Sequence, residues 1–275
     1  TKELPWIVAS DGTGTHSSIV EAMNANRPDA DFDAIYINVR PGIYEETVSV
    51  DAAVSLKGLG EKPEDTMIRC STRSPLVIDC GANVCRLENL YIYGRGHKVT
   101  ETFNAIDLTS GTLEVLDCAI ESDSYNGIKA RAGSQLTAIG CDFVHSKEFA
   151  ISSKQAKQLL VNECTFRKSG VQWVGGMGSV HRSFFYGSAG IYVEDTTLGK
   201  TVMVQDCLFD ECDEYGLASV VGANVEVHQS QFSSCRVGIK CGVAKQDMES
   251  QPITSESLSL VVVDQCNFVK CAEAA

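Results

Sequence analysis

Twelve cysteines and five histidines are the residues of this chain best suited to metal or redox chemistry, and their spacing speaks against a metal site. No two cysteines are separated by only two residues, and no cysteine–histidine set has zinc spacing. His16, His97, His145, His181 and His228 are scattered along the chain, and each reads as a surface or turn residue. The run Asp11-Gly-Thr-Gly-Thr15 precedes an amphipathic stretch, as a phosphate loop would, but no Gly-Lys-Ser/Thr follows it. One arrangement for acid–base hydrolysis, an Asp-Asp pair on one face, is missing, since no Asp-Asp occurs. Tyr125, Tyr192 and Tyr215 remain as rings on which a sugar could stack, or which pack against their neighbours. No metal and no cofactor is expected.

The cysteines are better explained as architecture. Cys118, Cys141, Cys164, Cys207 and Cys266 each stand at the same point of a recurring unit, with Ser183 and Ser230 in two further copies. Thr201-Val-Met-Val-Gln-Asp-Cys-Leu-Phe209 is one such unit: alternating apolar residues, a polar turn, a small residue, then Phe. The period is mostly about 23 residues, which marks a solenoid of stacked coils. Five residues on runs a second file, Asp123, Ser146, Ser169, Ser188, Cys212, Cys235 and Cys271. Interchange of Cys with Ser marks both files as small buried fillers. A Gly-Ile-like pair follows each unit: Gly127-Ile128, Ala150-Ile151, Gly170-Val171, Gly190-Ile191, Gly216-Leu217 and Gly238-Ile239. Glycine there is expected to permit a tight bend between strands.

Residues 1–34 form a different unit. Trp6-Ile-Val8 reads as a short strand. Ser17 and Ser18 then precede Ile19, Val20, Ala22, Met23 and Ala25, an amphipathic helix with its N-cap, stopped by Arg27-Pro28. This helix is expected to plug the open end of the solenoid. From residue 35 to 275 the β period holds as one continuous domain, interrupted at Glu194–Lys200 and Gly242–Ser257. A start without Met and a final Ala-Glu-Ala-Ala without a cap are expected of a piece of a longer protein.

A net charge of −13 argues against a nucleic-acid partner, because phosphate contacts require clustered Lys and Arg. No apolar run reaches the roughly 18 residues of a membrane helix, and no membrane partner is expected. Cysteines used as fillers, without an Asn-x-Ser/Thr sequon, point to a reducing cytoplasmic or nuclear compartment.

The unit x-Val-x-Asp-Cys-x-Phe followed by Tyr-Gly-Ile resembles right-handed parallel β-helix repeats over residues 35 to 271. Val8-Ala-Ser-Asp-Gly-Thr-Gly-Thr-His16, with Ile35-Tyr-Ile-Asn-Val-Arg-Pro-Gly-Ile-Tyr-Glu-Glu-Thr-Val48, resembles the N-terminal segment of pectin methylesterases. That resemblance implies a nucleophilic Asp in an Asp-Phe-Ile-Phe-Gly motif, a Gln-Asp pair supplying acid and base, and a Leu-Gly-Arg-Pro-Trp arginine. Here Glu148 stands at the nucleophile position, within Lys147-Glu-Phe-Ala-Ile-Ser152. Asp123-Ser-Tyr125 replaces the Gln-Asp pair, and Leu198-Gly-Lys200 replaces the arginine motif. A nucleophile longer by one methylene is out of place in so exact a site. Glu148 is therefore only the alternative catalytic residue.

Residues 104–271 resemble the non-catalytic β-helix domains of F-box adaptors, SHC-binding spindle proteins and carbohydrate-binding modules, which implies a rigid surface for a partner. The outward residues of the repeat include Leu160, Phe184, Met203 and Leu208, an apolar patch suited to a protein. The expected fold is thus all-β, a single-stranded right-handed parallel β-helix with an N-terminal α-helical cap. The expected function is a non-catalytic scaffold for protein–protein interaction. The alternatives are a pectinesterase-like carbohydrate esterase with an altered site, or a carbohydrate-binding β-helix stacking sugars on Tyr125, Tyr192 and Tyr215.

Overall fold

A computed structural model describes residues 6–25, 34–96, 102–187, 189–194, 200–220, 222–242 and 259–272. Both interruptions of the repeat lie mainly outside these. Each coil contributes three short strands, for example Asp142–Ser146, Ile151–Lys154 and Gln158–Asn162, before Thr165–Arg167 opens the next coil directly above the first. All pairings between named strands are parallel, and the strands gather into an 18-stranded and a 10-stranded sheet. The larger sheet merges two of the three ladders, because Leu76–Glu88 and Ile106–Leu116 each run through both.

The period-2 alternation of the repeat explains the three ladders, since a strand buries every second side chain. In the valine ladder, Val115, Ala138, Val161, Val180, Val204 and Val227 lie in register and point inward. In the phenylalanine ladder, Phe143, Phe166, Phe185, Phe209, Phe232 and Phe268 form one stack, with ring centroids 4.7, 4.5, 4.8, 4.7 and 5.0 Å apart. In the glycine–isoleucine ladder, Ile128, Ile151, Val171, Ile191, Leu217 and Ile239 do the same.

Two details differ from the sequence reading. The glycines of the Gly-Ile pairs do not serve a bend of unusual backbone geometry. They let the next coil come close: a Cβ on Gly190 would lie 1.8 Å from the Gly216 carbonyl oxygen, and one on Gly170 would lie 1.7 Å from that of Ala189. The left-handed turns fall instead on polar residues just before the Cys file, Asp117, Glu163, Arg182, Asp206 and Gln229, with φ between 46° and 55°. Second, the small-residue file passes through Ser122 and not Asp123. A bulge between Ile120 and Glu121 shifts the register, pairs Ser122 with Ser146 and leaves Asp123 exposed.

At the N-terminal end a single short helix, Ile19–Ala25, packs Ile19, Ala22 and Met23 against the first strands. No helix among the described residues is long and apolar enough to cross a membrane.

Candidate functional site

The outward side chains of the glycine–isoleucine ladder form one continuous row. Asp107, Lys129, Ser152, Gln172, Tyr192, Ala218 and Lys240 are consecutive register partners, so they climb one strand spacing at a time. At its lower end the row opens into a polar cleft of about 360 Å³, whose lining includes Ser74, Asn104, Asp107, Tyr125, Lys129 and Arg131. Buried amides brace its floor: Asn126 Nδ2 donates to Asn104 Oδ1 at 3.0 Å, and Asn126 Oδ1 accepts from the Phe149 backbone N–H at 3.3 Å.

The charges in the cleft do not cancel. Arg131 holds Asp107 through two hydrogen bonds, Nε to Oδ1 at 3.0 Å and Nη2 to Oδ2 at 2.8 Å, which raises the already high pKa of the guanidinium. The side-chain ammonium of Lys129, one register position from Asp107 and half-buried, makes no hydrogen bond or ion pair among the described residues. A cationic head is thus left over on the cleft floor.

Three rungs above Lys129, about 14 Å away at ordinary strand spacing, lies an aromatic pair. The rings of Tyr192 and Tyr215 are 6.5 Å apart and tilted by 44°, and the Tyr192 hydroxyl donates to Glu194 Oε2 at 3.1 Å. Tyr215 is half-buried, and burial with the nearby Glu214 holds its hydroxyl firmly protonated. The structure therefore places Tyr192 on the ladder and Tyr125 and Tyr215 in the turns that lead into it: Tyr192 and Tyr215 are neighbours, and Tyr125 lines the cleft below them. Ser152, although it faces outward, is only 2% exposed and donates to Gln172 Oε1 at 2.8 Å.

Glu148 lies in the turn leading into the same ladder. It is exposed, and its backbone N–H donates to the Tyr125 carbonyl at 3.1 Å. Tyr125 and Asp123 thus lie on the coil beneath Glu148. Leu198 and Gly199 lie outside the described residues. Among the described residues no group of three His, Cys, Asp or Glu side chains is arranged to hold a metal ion.

The residues of the apolar patch divide between two faces. Leu160 and Met203 stand two rungs apart on the valine ladder with Ser179 between them, and Phe184 and Leu208 are register partners on the phenylalanine ladder. Arg182 and Ser183 turn the corner between them. Leu160 lines a shallow groove of about 420 Å³ together with Thr137, Ile139, Ser179 and His181, and Met203 is 36% exposed beside it. Phe184 stacks on Tyr186 at 6.2 Å on the other face.

The family model for the right handed beta helix region matches residues 69–251, well over half of the chain. The chain belongs to this family. Among solved structures, this β-helix is similar to a pectin methylesterase from Aspergillus niger, with a TM-score of 0.61, 15% identity, and coverage of 96% of this chain and 85% of that one. It is also similar to pectin methylesterase from carrot, with a TM-score of 0.57, 13% identity, and coverage of 98% and 84%. The catalytic domain of a GH87 α-1,3-glucanase gives a TM-score of 0.52 at 12% identity, with coverage of 98% and 65%. At such identities the likeness is one of fold. A search of curated proteins gave no match.

Lys129, Asp107 and Arg131 carry no sequence signal. They are isolated charges in unremarkable repeats, and only the register of two coils brings Asp107 beside Lys129, Arg131 and Tyr125.

Proposed function

We propose that this β-helix binds a linear, carboxylate-bearing glycan along the outer row of its glycine–isoleucine ladder and does not itself break a bond. The observation that carries this reading is the unpaired ammonium of Lys129 in a polar cleft lined by Tyr125, on the same row as Tyr192, whose ring neighbours that of Tyr215. Sugars are recognised by flat aromatic surfaces together with a few fixed polar groups, and an unpaired, half-buried cation selects a carboxylate. The spread of the row suits an oligosaccharide and not a single sugar. The similar folds named as a pectin methylesterase and an α-1,3-glucanase support a glycan as ligand. An exposed Glu148, longer by a methylene than the aspartate that the resemblance implies, supports the non-catalytic half of the proposal.

Calorimetric titration with trigalacturonate and with neutral maltotriose tests this. The acidic trisaccharide should bind and the neutral one should not. Lys129→Gln should weaken binding about 10-fold or more, as loss of a hydrogen bond to a charged group of about 1.5–3 kcal/mol implies. Equal binding of the two sugars would overturn the reading. Methanol release from methyl-esterified pectin, abolished by Glu148→Gln, would replace it with an esterase.

A second reading, a scaffold for a protein partner, is favoured by a separate observation: outward Phe184 and Leu208 in adjacent rungs, with Met203 exposed around the corner. Loss of a co-purifying partner from Leu160→Asp and Met203→Asp variants would support it. The twelve free cysteines are in keeping with a reducing compartment for either role.

A further inference from the structure

Two files of thiols run up this solenoid, and the partly buried cysteines at their upper ends, Cys266 and Cys271, differ in what lies beneath them, Ser230 and Cys235. In the first, Cys118, Cys141 and Cys164 occupy successive coils and are at most 2% exposed. In the second, Cys212, Cys235 and Cys271 occupy successive described coils, stacked by backbone bonds from the Arg236 N–H to the Cys212 carbonyl and from the Ala272 N–H to that of Cys235. Cys271, on the last described coil, is only partly buried.

The backbone holds the upper two thiols of this second file side by side. Ser233 and Val269 are parallel register partners, and the Ala272 N–H donates to the Cys235 carbonyl at 3.3 Å. Residues so related are separated by one strand spacing, about 4.8 Å, inside the Cα separation of about 4.4–6.8 Å that a disulfide needs. Both side chains also point the same way. Cys235 Sγ rests 3.5 Å from the Phe209 carbonyl oxygen and 3.4 Å from that of Ser233, and Cys271 Sγ rests 3.5 Å from the Phe232 oxygen and 3.8 Å from that of Val269.

We propose that Cys235 and Cys271 are a redox-active pair that a two-electron oxidant, hydrogen peroxide, closes into a disulfide across two coils. Peroxide meets the accessible Cys271 first. Its thiolate attacks one peroxide oxygen, the O–O bond breaks, and a sulfenic acid and one water result. The Cys235 thiolate then attacks the sulfenic sulfur, the S–O bond breaks, and a second water leaves with the disulfide formed. Two thiols lose two electrons in all, and the two peroxide oxygens take them up.

The roles follow from the surroundings of each thiol. A hydrogen bond from Cys212 and further bonds from backbone and Cys271 bring Cys235 down to about 7, so it supplies thiolate near neutral pH. Burial keeps Cys271 above its ordinary value, which makes its oxidation the slow step. In the first file the buried members offer the oxidant no entry, and the partly buried Cys266 stands above Ser230, with no thiol on the coil beneath it. Closing the pair ties the final coil to the one beneath it and constrains the long segment between them.

The full chain, treated with a small excess of hydrogen peroxide and digested without reductant, should yield one dominant cross-linked peptide pair joining Cys235 to Cys271, reversed by dithiothreitol. Hydrogen exchange over Leu260–Val269 should slow in the oxidised protein. In Cys235→Ser, Cys271 should persist as a sulfenic acid trapped by dimedone. A Cys212–Cys235 bridge, any bridge in the Cys118–Cys141–Cys164 file, or sulfinic acid at Cys271 without a cross-link in the unsubstituted chain would each overturn the proposal. The peptide map of that unsubstituted chain decides the matter even where a variant folds poorly.

Discussion

Burial pushes the Cys207 thiol up to about 12, against about 8.5 for an unfolded cysteine. The folded state therefore holds the proton more tightly than the unfolded one. Its contribution to stability is complete below about pH 8.5 and drains away as pH rises from there towards 12. The melting temperature should be flat through neutral pH and fall above about pH 8.5. Cys207→Ser, which copies Ser183 and Ser230 in the same file, should fall less steeply. Melting curves at half-unit steps from pH 7 to 10.5 check this, and parallel alkaline limbs for the two proteins would refute it. At this scale the sequence was legible where a residue repeats and illegible where it does not. The Cys and Ser files announce burial by their period, whereas Lys129 looks like any solvated lysine until the register of neighbouring coils shows Asp107 already claimed by Arg131.

The helix Ile19–Ala25 shows the same division one level up. Its amphipathic stripe and Ser18 cap can be read from the chain: Ser18 Oγ accepts from the Glu21 N–H at 3.2 Å. Its anchor cannot. The Glu46 carboxylate, far along the chain, accepts from the Ile19 N–H at 2.9 Å, the Val20 N–H at 3.0 Å and the Ser18 hydroxyl at 2.8 Å. An internal anion thus satisfies the exposed amides at the positive end of the helix. Glu46→Ala should cost about 1–2 kcal/mol, as loss of a cap with charged hydrogen bonds does. Urea denaturation measures the cost, and faster hydrogen exchange confined to Ile19–Ala25 and its contacts would show that the anchor, not the core, was lost. Likewise the bulge at Ile120–Glu121 is set by stacking on the adjacent coils, so a fixed period along the chain misplaces the file at Asp123 by one residue.

For the molecule as a whole, each coil touches only the coils above and below it, so stability is close to a sum of coil terms and nearest-neighbour interfaces. The phenylalanine stack makes that sum visible. Phe185 is fully buried between Phe166 at 4.5 Å and Phe209 at 4.8 Å, whereas Phe268, on the last described coil, has one stacked neighbour among the described residues, Phe232 at 5.0 Å, and is half-buried. Phe185→Ala removes the ring from the middle of the array and should cost about 3–5 kcal/mol. Phe268→Ala removes it from the end and should cost clearly less. The two changes should also differ in kind. Weakening the central interface uncouples the coils on either side, so the urea transition of Phe185→Ala should broaden or split. Weakening the terminal one frays only the last coil, so Phe268→Ala should keep a single transition with faster exchange limited to Leu260–Val269. Equal losses and equally sharp transitions would mean that the solenoid unfolds as one unit and that its repeats are not the units of its stability.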